Sequence, residues 1–161
     1  MQEHVYIGLG SNLDDPAGRL HRAIAAIAAI AGVELRAVSS FYASAPLGYD
    51  AQPDFVNAVV EVATSLAPRA LLDQLQRIEQ LQGRQRSFAN APRTLDLDIV
   101  LYGGLQQSDA DLLLPHPRCH ERAFVLLPLH EIAPDYVIPG RGPVAGLIAA
   151  CGDQRIARLG D

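Results

Sequence analysis

Lysine is absent from the 161-residue sequence, and all thirteen basic residues are arginines. That excludes Schiff-base catalysis and the lysine of a phosphate-binding loop. Any anion recognition falls to arginine, whose planar fork suits bidentate phosphate contacts. Cysteine is scarce too: Cys119 and Cys151 are the only two, which gives no disulfide framework and matches a reducing compartment. Long apolar runs are missing. The longest, Ala23 to Val33, is shorter than the roughly 20 residues of a membrane span. Met1-Gln2-Glu3-His4 carries neither a basic region nor a cleavable apolar segment, so a cytoplasmic protein is expected. A net charge of -5 and a pI near 5.4 give no long-range attraction to nucleic acid or anionic membrane. With 49% hydrophobic and 19% charged residues, the chain has the composition of one globular domain over residues 1–161 with a substantial core.

What the sequence does have is an acidic strand, around which the rest is organised. In Thr94-Leu95-Asp96-Leu97-Asp98-Ile99-Val100-Leu101, apolar residues alternate with Thr94, Asp96, Asp98 and Val100, the period of a half-buried strand whose other face carries both carboxylates. Residues i and i+2 lie roughly 6.6 Å apart along a strand. Two unpaired carboxylates so placed repel by about 2 to 3 kcal/mol at an effective dielectric near 20. A cation between them relieves that. Either a hard divalent ion such as Mg2+ is held there with substrate phosphates, or an arginine such as Arg93 neutralises the pair.

In chain order, His4–Gly10 reads as a strand ending in glycines, followed by cap signals at Ser11-Asn12 and Asp14-Asp15-Pro16 and a helix running to Ala31 before Gly32. Gly8-Leu9-Gly10 lacks the third glycine of a dinucleotide fingerprint. Val33–Tyr42 reads as a second strand and 43–53 as a loop. Phe55–Val62 reads as a third strand, with Phe55 and Asn57 pointing one way and Val56, Ala58, Val60 and Val62 the other. An aromatic platform beside an amide suits a flat heterocycle; taken alone, the pattern is more often a core ring and a strand-end amide near a turn. A second helix starts at Thr64 or Ser65 with Pro68 and stops at Gly83, with Leu71, Leu75 and Ile78 as its core stripe and Gln76 and Glu79 on a solvated face. A loop over 84–92 then leads to the acidic strand.

Strand, helix, strand, strand, helix, strand is the α+β, ferredoxin-like βαββαβ plan, a mainly antiparallel sheet with helices on one face. C-terminal helices (118–131 and 143–151) and short strands (112–114 and 136–138) add to it. Arg84, Arg86 and Arg93 precede the aspartates, and His116, Arg118 and Arg122 follow. Clustered arginines with paired carboxylates are the parts needed to move a phosphoryl group. A zinc reading of His116, Cys119 and His120 lacks a second ligand pair nearby.

Gly10-Ser11-Asn12, Phe41-Tyr42 with Pro46-Leu47-Gly48, Pro53-Asp54-Phe55-Val56-Asn57-Ala58, Leu114-Pro115-His116, Arg122-Ala123-Phe124 and Pro128-Leu129-His130-Glu131-Ile132-Ala133-Pro134 together resemble the 6-hydroxymethyl-7,8-dihydropterin pyrophosphokinases of folate synthesis. The most specific match is Pro92-Arg93-Thr94-Leu95-Asp96-Leu97-Asp98. The resemblance implies transfer of the diphosphoryl group of ATP to the pterin hydroxymethyl oxygen, leaving AMP. It implies that Asp96 and Asp98 hold two Mg2+ ions, and that Phe55 and Phe124 sandwich the pterin while Asn57 and groups near Ser44 and Leu47 read its edge. Gln76, Glu79, Arg93, Ile99, His116 and Arg122 would line the ATP side, and Arg84 and Arg86 would arrive with a closing loop. The sequence departs from the family pattern in having no tryptophan before the acidic segment, where Asn90 aligns, and in Leu113 and Pro117. A two-metal nucleotidyltransferase or phosphohydrolase would leave the Phe55/Asn57 pair without a purpose, and an RNA-binding module would leave the carboxylates so. Since one chain can supply the whole site, a monomer is expected.

Overall fold

The computed structural model describes residues 3–12, 15–44, 55–82, 95–109, 112–152, 154 and 156–159. Strand β1 (Glu3–Ser11), helix α1 (Pro16–Ala28) and strand β2 (Val33–Val38) are followed by β3 (Tyr42–Ser44), β4 (Phe55–Thr64), α2 (Pro68–Leu81) and β5 (Asp96–Tyr102). The sheet runs β5-β1-β4, with β2 and β3 sharing the far edge of β4, and every pairing is antiparallel. This is the α+β, ferredoxin-like arrangement. The expected second strand is in fact two, broken where Ser39 turns its hydroxyl onto the chain: Oγ accepts the Val59 N–H at 3.0 Å and donates to the Ser40 carbonyl.

Local chemistry sets the helix ends. Asp15 caps α1 through its carboxylate to the Gly18 N–H, and Pro16 follows at the first helical position. The helix stops at Ala28, three residues before the expected Ala31, and Gly32 turns the chain with a φ of 85°. Thr64 does not cap α2. It remains in β4, donating to the Gly32 carbonyl at 2.7 Å and accepting the Leu66 N–H, so the helix begins at Pro68.

Two hydrophobic layers sandwich the sheet. Leu20, Ala23 and Ile27 of α1 and Leu71, Leu75 and Ile78 of α2 pack against Val5, Ile7, Val60 and Val62; each fully buried Leu or Ile contributes about 1.5 to 3 kcal/mol. The expectation of helices on one face holds only for these two. After a hairpin of β6 (Gln107–Asp109) and β7 (Leu112–Leu114) and a 3-10 turn at Cys119–Glu121, helix α3 (Ala123–Ile132) covers the opposite face. Its buried residues Val125, Leu126 and Leu129 join Tyr6, Val59 and Val100 there. Strands β8 (Val137–Ile138) and β9 (Gly142–Pro143), helix α4 (Val144–Ala149) and β10 (Ile156–Arg158) complete the fold, and β10 pairs with β3. Nothing in the pattern of the sequence announced β10. Among the described residues, no helix is long and apolar enough to cross a membrane.

The alternation expected for the acidic strand breaks once. Tyr6 pairs with Leu101 but Ile7 with Ile99, so one extra residue sits in β5. Leu95, Leu97 and Ile99 belong to the α1/α2 layer, Val100 and Leu101 to the α3 layer, and Tyr102 to the first layer again. Leu101 therefore lies on the face opposite to that expected, because a bulge reverses the phase of the pleat.

Candidate functional site

On the α3 side of the sheet, β1, β3, β4, β5 and the start of α3 enclose a cavity of about 230 Å³. Its floor is backbone. Gly8 and Gly10 of β1 pair with Asp98 and Asp96 on one side and with Val59 and Asn57 on the other. A Cβ on Gly10 would stand 3.0 Å from Asn57 Nδ2, and one on Gly8 would stand 3.2 Å from Val100 Cγ2. The two glycines keep the space open. Small residues at a period of two within a strand are the signal of close ligand approach, which a reading of these glycines as a nucleotide fingerprint overlooks.

Ser44, Phe55, Asn57, Asp96, Asp98, His116, Arg122 and Phe124 all line this one cavity. Phe55 and Asn57 share a face of β4 by strand alternation, while Val56, Ala58, Val60 and Val62 pack in the α1/α2 layer. Ser44 pairs with Phe55 across the β3–β4 edge, and its hydroxyl donates to Asn57 Oδ1 at 2.6 Å. The amide oxygen is thereby engaged. Its NH2 group lies over Gly10, where it can donate to an acceptor on a bound ring. Arg122 is the one extended residue between the 3-10 turn and α3, and its guanidinium carbon stands 5.4 Å from the centroid of the Phe124 ring, a cation–π distance.

His116 is held by its backbone N–H donating to the Val100 carbonyl at 2.9 Å. Its Nδ1 accepts the Arg118 N–H at 3.2 Å. Burial pushes its pKa down to about 4, with the charges of Arg122 and Arg118 adding to the effect. The ring is therefore neutral near pH 7 and carries its proton on Nε2, a donor rather than a cation. Cys119 is buried in the α3 layer, where burial raises its thiol pKa to about 11. Among the described residues, no three His, Cys, Asp or Glu side chains converge as metal ligands.

The remaining expected residues fall elsewhere. Gln76 is exposed on α2. Glu79 is not solvated as its helix face suggested: it is 4% exposed, and its carboxylate accepts the Leu97 N–H at 2.8 Å. The side chain of Ile99 is buried in the α1/α2 layer, which leaves only its backbone to a ligand. Leu47, Arg84, Arg86 and Arg93 lie outside the described residues.

The sequence and the fold both have known counterparts. Residues 6–134 match the family model described as 7,8-dihydro-6-hydroxymethylpterin-pyrophosphokinase (HPPK). The 2-amino-4-hydroxy-6-hydroxymethyldihydropteridine pyrophosphokinase of Haemophilus influenzae is 47% identical over 96% of this chain and 96% of its own. The enzyme of the same description from Pseudomonas aeruginosa is 45% identical, covering 99% and 98%. Among solved structures, Plasmodium falciparum HPPK-DHPS wild type with pteroate aligns with a TM-score of 0.74 over 99% of this chain at 13% identity, a likeness of fold; this chain spans 48% of that longer one. On the family match and the two near-full-length relatives, the chain belongs to the 7,8-dihydro-6-hydroxymethylpterin-pyrophosphokinase family.

Proposed function

We propose that this chain transfers the diphosphoryl group of ATP to the hydroxyl of 6-hydroxymethyl-7,8-dihydropterin, releasing AMP and the pterin diphosphate in folate biosynthesis. The observation that carries this reading is the presence of Phe55, Asn57 and Phe124 in the same cavity as Asp96 and Asp98. A ring site beside paired carboxylates suits a reaction in which a small heterocycle carries the nucleophile and a polyphosphate carries the leaving group.

In the transfer, the pterin hydroxyl oxygen forms a bond to the β-phosphorus of ATP. The bond from that phosphorus to the α,β-bridging oxygen breaks, AMP leaves with the electron pair, and the hydroxyl proton passes to solvent. Phe55 and Phe124 stack the ring, which offers about 0.5 to 1.5 kcal/mol beyond area burial. Asn57, oriented by Ser44, reads the ring edge together with backbone groups near Ser44 and Leu47. Neutral His116 donates from Nε2, and Arg122 supplies positive charge at the phosphate side. Arg84, Arg86 and Arg93 stabilise charge developing on the transferred group. Gln76 and the Ile99 backbone are assigned to the ATP side, whereas Glu79 acts through the backbone of β5.

The donor set fits Mg2+. Asp96 and Asp98 offer hard oxygens on one face of β5, and Gly8 and Gly10 opposite them leave room for a hydrated ion. Two ions held by Asp96 and Asp98 would supply charge neutralisation of the phosphates and a lowered pKa for the pterin hydroxyl. The reading takes residues 1–161 as one such domain, monomeric and cytoplasmic. Incubation with ATP, Mg2+ and 6-hydroxymethyl-7,8-dihydropterin should yield AMP and pterin diphosphate in equal amounts. Formation of ADP, or no product, would overturn the reading.

A further inference from the structure

Glu131 lies near the C-terminal end of α3, and three hydrogen-bond donors converge on its carboxylate. The Ser40 N–H donates to both oxygens at 3.0 Å, the Ser40 hydroxyl to Oε2 at 2.9 Å, and the Tyr42 hydroxyl to Oε1 at 2.7 Å. Arg158 of β10 approaches Oε2 at 3.9 Å. Burial opposes ionisation, but donation from Tyr42 and Ser40 and the Arg158 charge outweigh it and hold the carboxyl below its ordinary range. Such charge-assisted bonds are the stronger kind.

The two ends of this contact belong to opposite walls of the cavity. On the sheet side, Tyr42 is 7% exposed and pairs with Asn57, while Ser44, two residues on, pairs with Phe55. On the helix side, Phe124 precedes Glu131 by seven residues, two turns and roughly 10 Å along the same face of α3. Phe124 therefore hangs from a helix whose far end is pegged to the strand that braces Asn57 and Phe55.

We infer that Glu131 is a positioning residue for the ring site, setting the separation of Phe124 from Phe55 and Asn57 by tying α3 to Ser40 and Tyr42. It touches no substrate and acts through the two walls. This inference rests on the pterin reading above and adds to it a residue outside the cavity that controls the fit of one substrate and not the other.

The test uses Glu131→Ala, Glu131→Gln, Tyr42→Phe and the double variant Glu131→Ala/Tyr42→Phe in the full chain. Kd and KM are measured for 6-hydroxymethyl-7,8-dihydropterin and for ATP, with kcat and the melting temperature. Glu131→Ala should raise the pterin Kd and KM by about tenfold, the scale of coupling through packed networks, while KM for ATP and kcat stay within about twofold. Glu131→Gln keeps an acceptor and should recover most of the loss. Tyr42→Phe, which removes one hydroxyl, should give a smaller rise that does not add to that of Glu131→Ala in the double variant, and it carries the test if Glu131→Ala does not fold. Unchanged pterin affinity in Tyr42→Phe, or in a folded Glu131→Ala, despite a lower melting temperature would overturn the inference, as would equal losses for both substrates. A wild-type chain that binds no pterin would reject the functional reading itself, whereas wild-type binding with unmoved variants would reject this inference alone.

Discussion

The carboxylate of Glu79 accepts the backbone N–H of Leu97 at 2.8 Å, from a side chain only 4% exposed. Leu97 is the residue between Asp96 and Asp98, so helix α2 holds the acidic strand between its two carboxylates. Glu79→Ala leaves that N–H unsatisfied at a cost of about 1 to 3 kcal/mol, and for a chain of this size each kcal/mol lowers Tm by roughly 2 to 4 °C. Calorimetry should record that loss, and activity assays should show a raised Mg2+ requirement. Glu79→Gln, which keeps an acceptor, should restore most of both.

Asp96→Asn and Asp98→Asn keep shape and remove charge from the cavity face of β5. Turnover at ordinary Mg2+ should fall by about two orders of magnitude or more, with pterin affinity reduced only modestly. Full activity in either variant would remove its metal role.

Phe55→Ala should weaken pterin binding and spare ATP, as read by calorimetric titration of each substrate. Ser44→Ala should do the same to a lesser degree, about five- to tenfold, because Asn57 Oδ1 loses the donor that orients its amide.

Gly10→Ala places a methyl group 3.0 Å from Asn57 Nδ2, in the cavity that the glycine keeps open. Pterin affinity should drop at least about tenfold. A calorimetric titration matching the wild-type chain would mean that the ring does not approach β1.

His116 should stay neutral well below physiological pH, since burial and two arginines depress its pKa to about 4 from 6.5. The unfolded chain takes up this proton more readily, so the contribution to stability is intact above about pH 6.5 and is withdrawn as pH falls toward 4. An NMR titration should show no inflection for this ring between pH 5 and 8. Melting curves of His116→Asn should lose part of the decline seen below pH 6.5.

Period and punctuation carried much of the fold. The face assignment of Phe55 and Asn57, the shared face of Asp96 and Asp98, the α2 core stripe and the turn at Gly32 are each decided by local chemistry that neighbours in sequence reveal. What escaped was decided by distant partners. The break at Ser39 depends on Val59, the burial of Glu79 on an N–H in another element, the phase reversal at Val100 on pairing with β1, and β10 on an edge that only the folded sheet creates. Gly8 and Gly10 were visible as residues, but their purpose lies in the space above them. A resemblance could name Glu131 within a motif; its three donors on Ser40 and Tyr42, and Arg158 of β10 beside them, appear only in three dimensions.

The extra residue at Val100 bears on how the acidic strand is seated. A regular ladder can slip by two positions and still bury the same side, but an interrupted one has a single seating against β1, much as a notch stops a ratchet. The seating of the acidic pair is therefore fixed from within β5, by its pairing with β1.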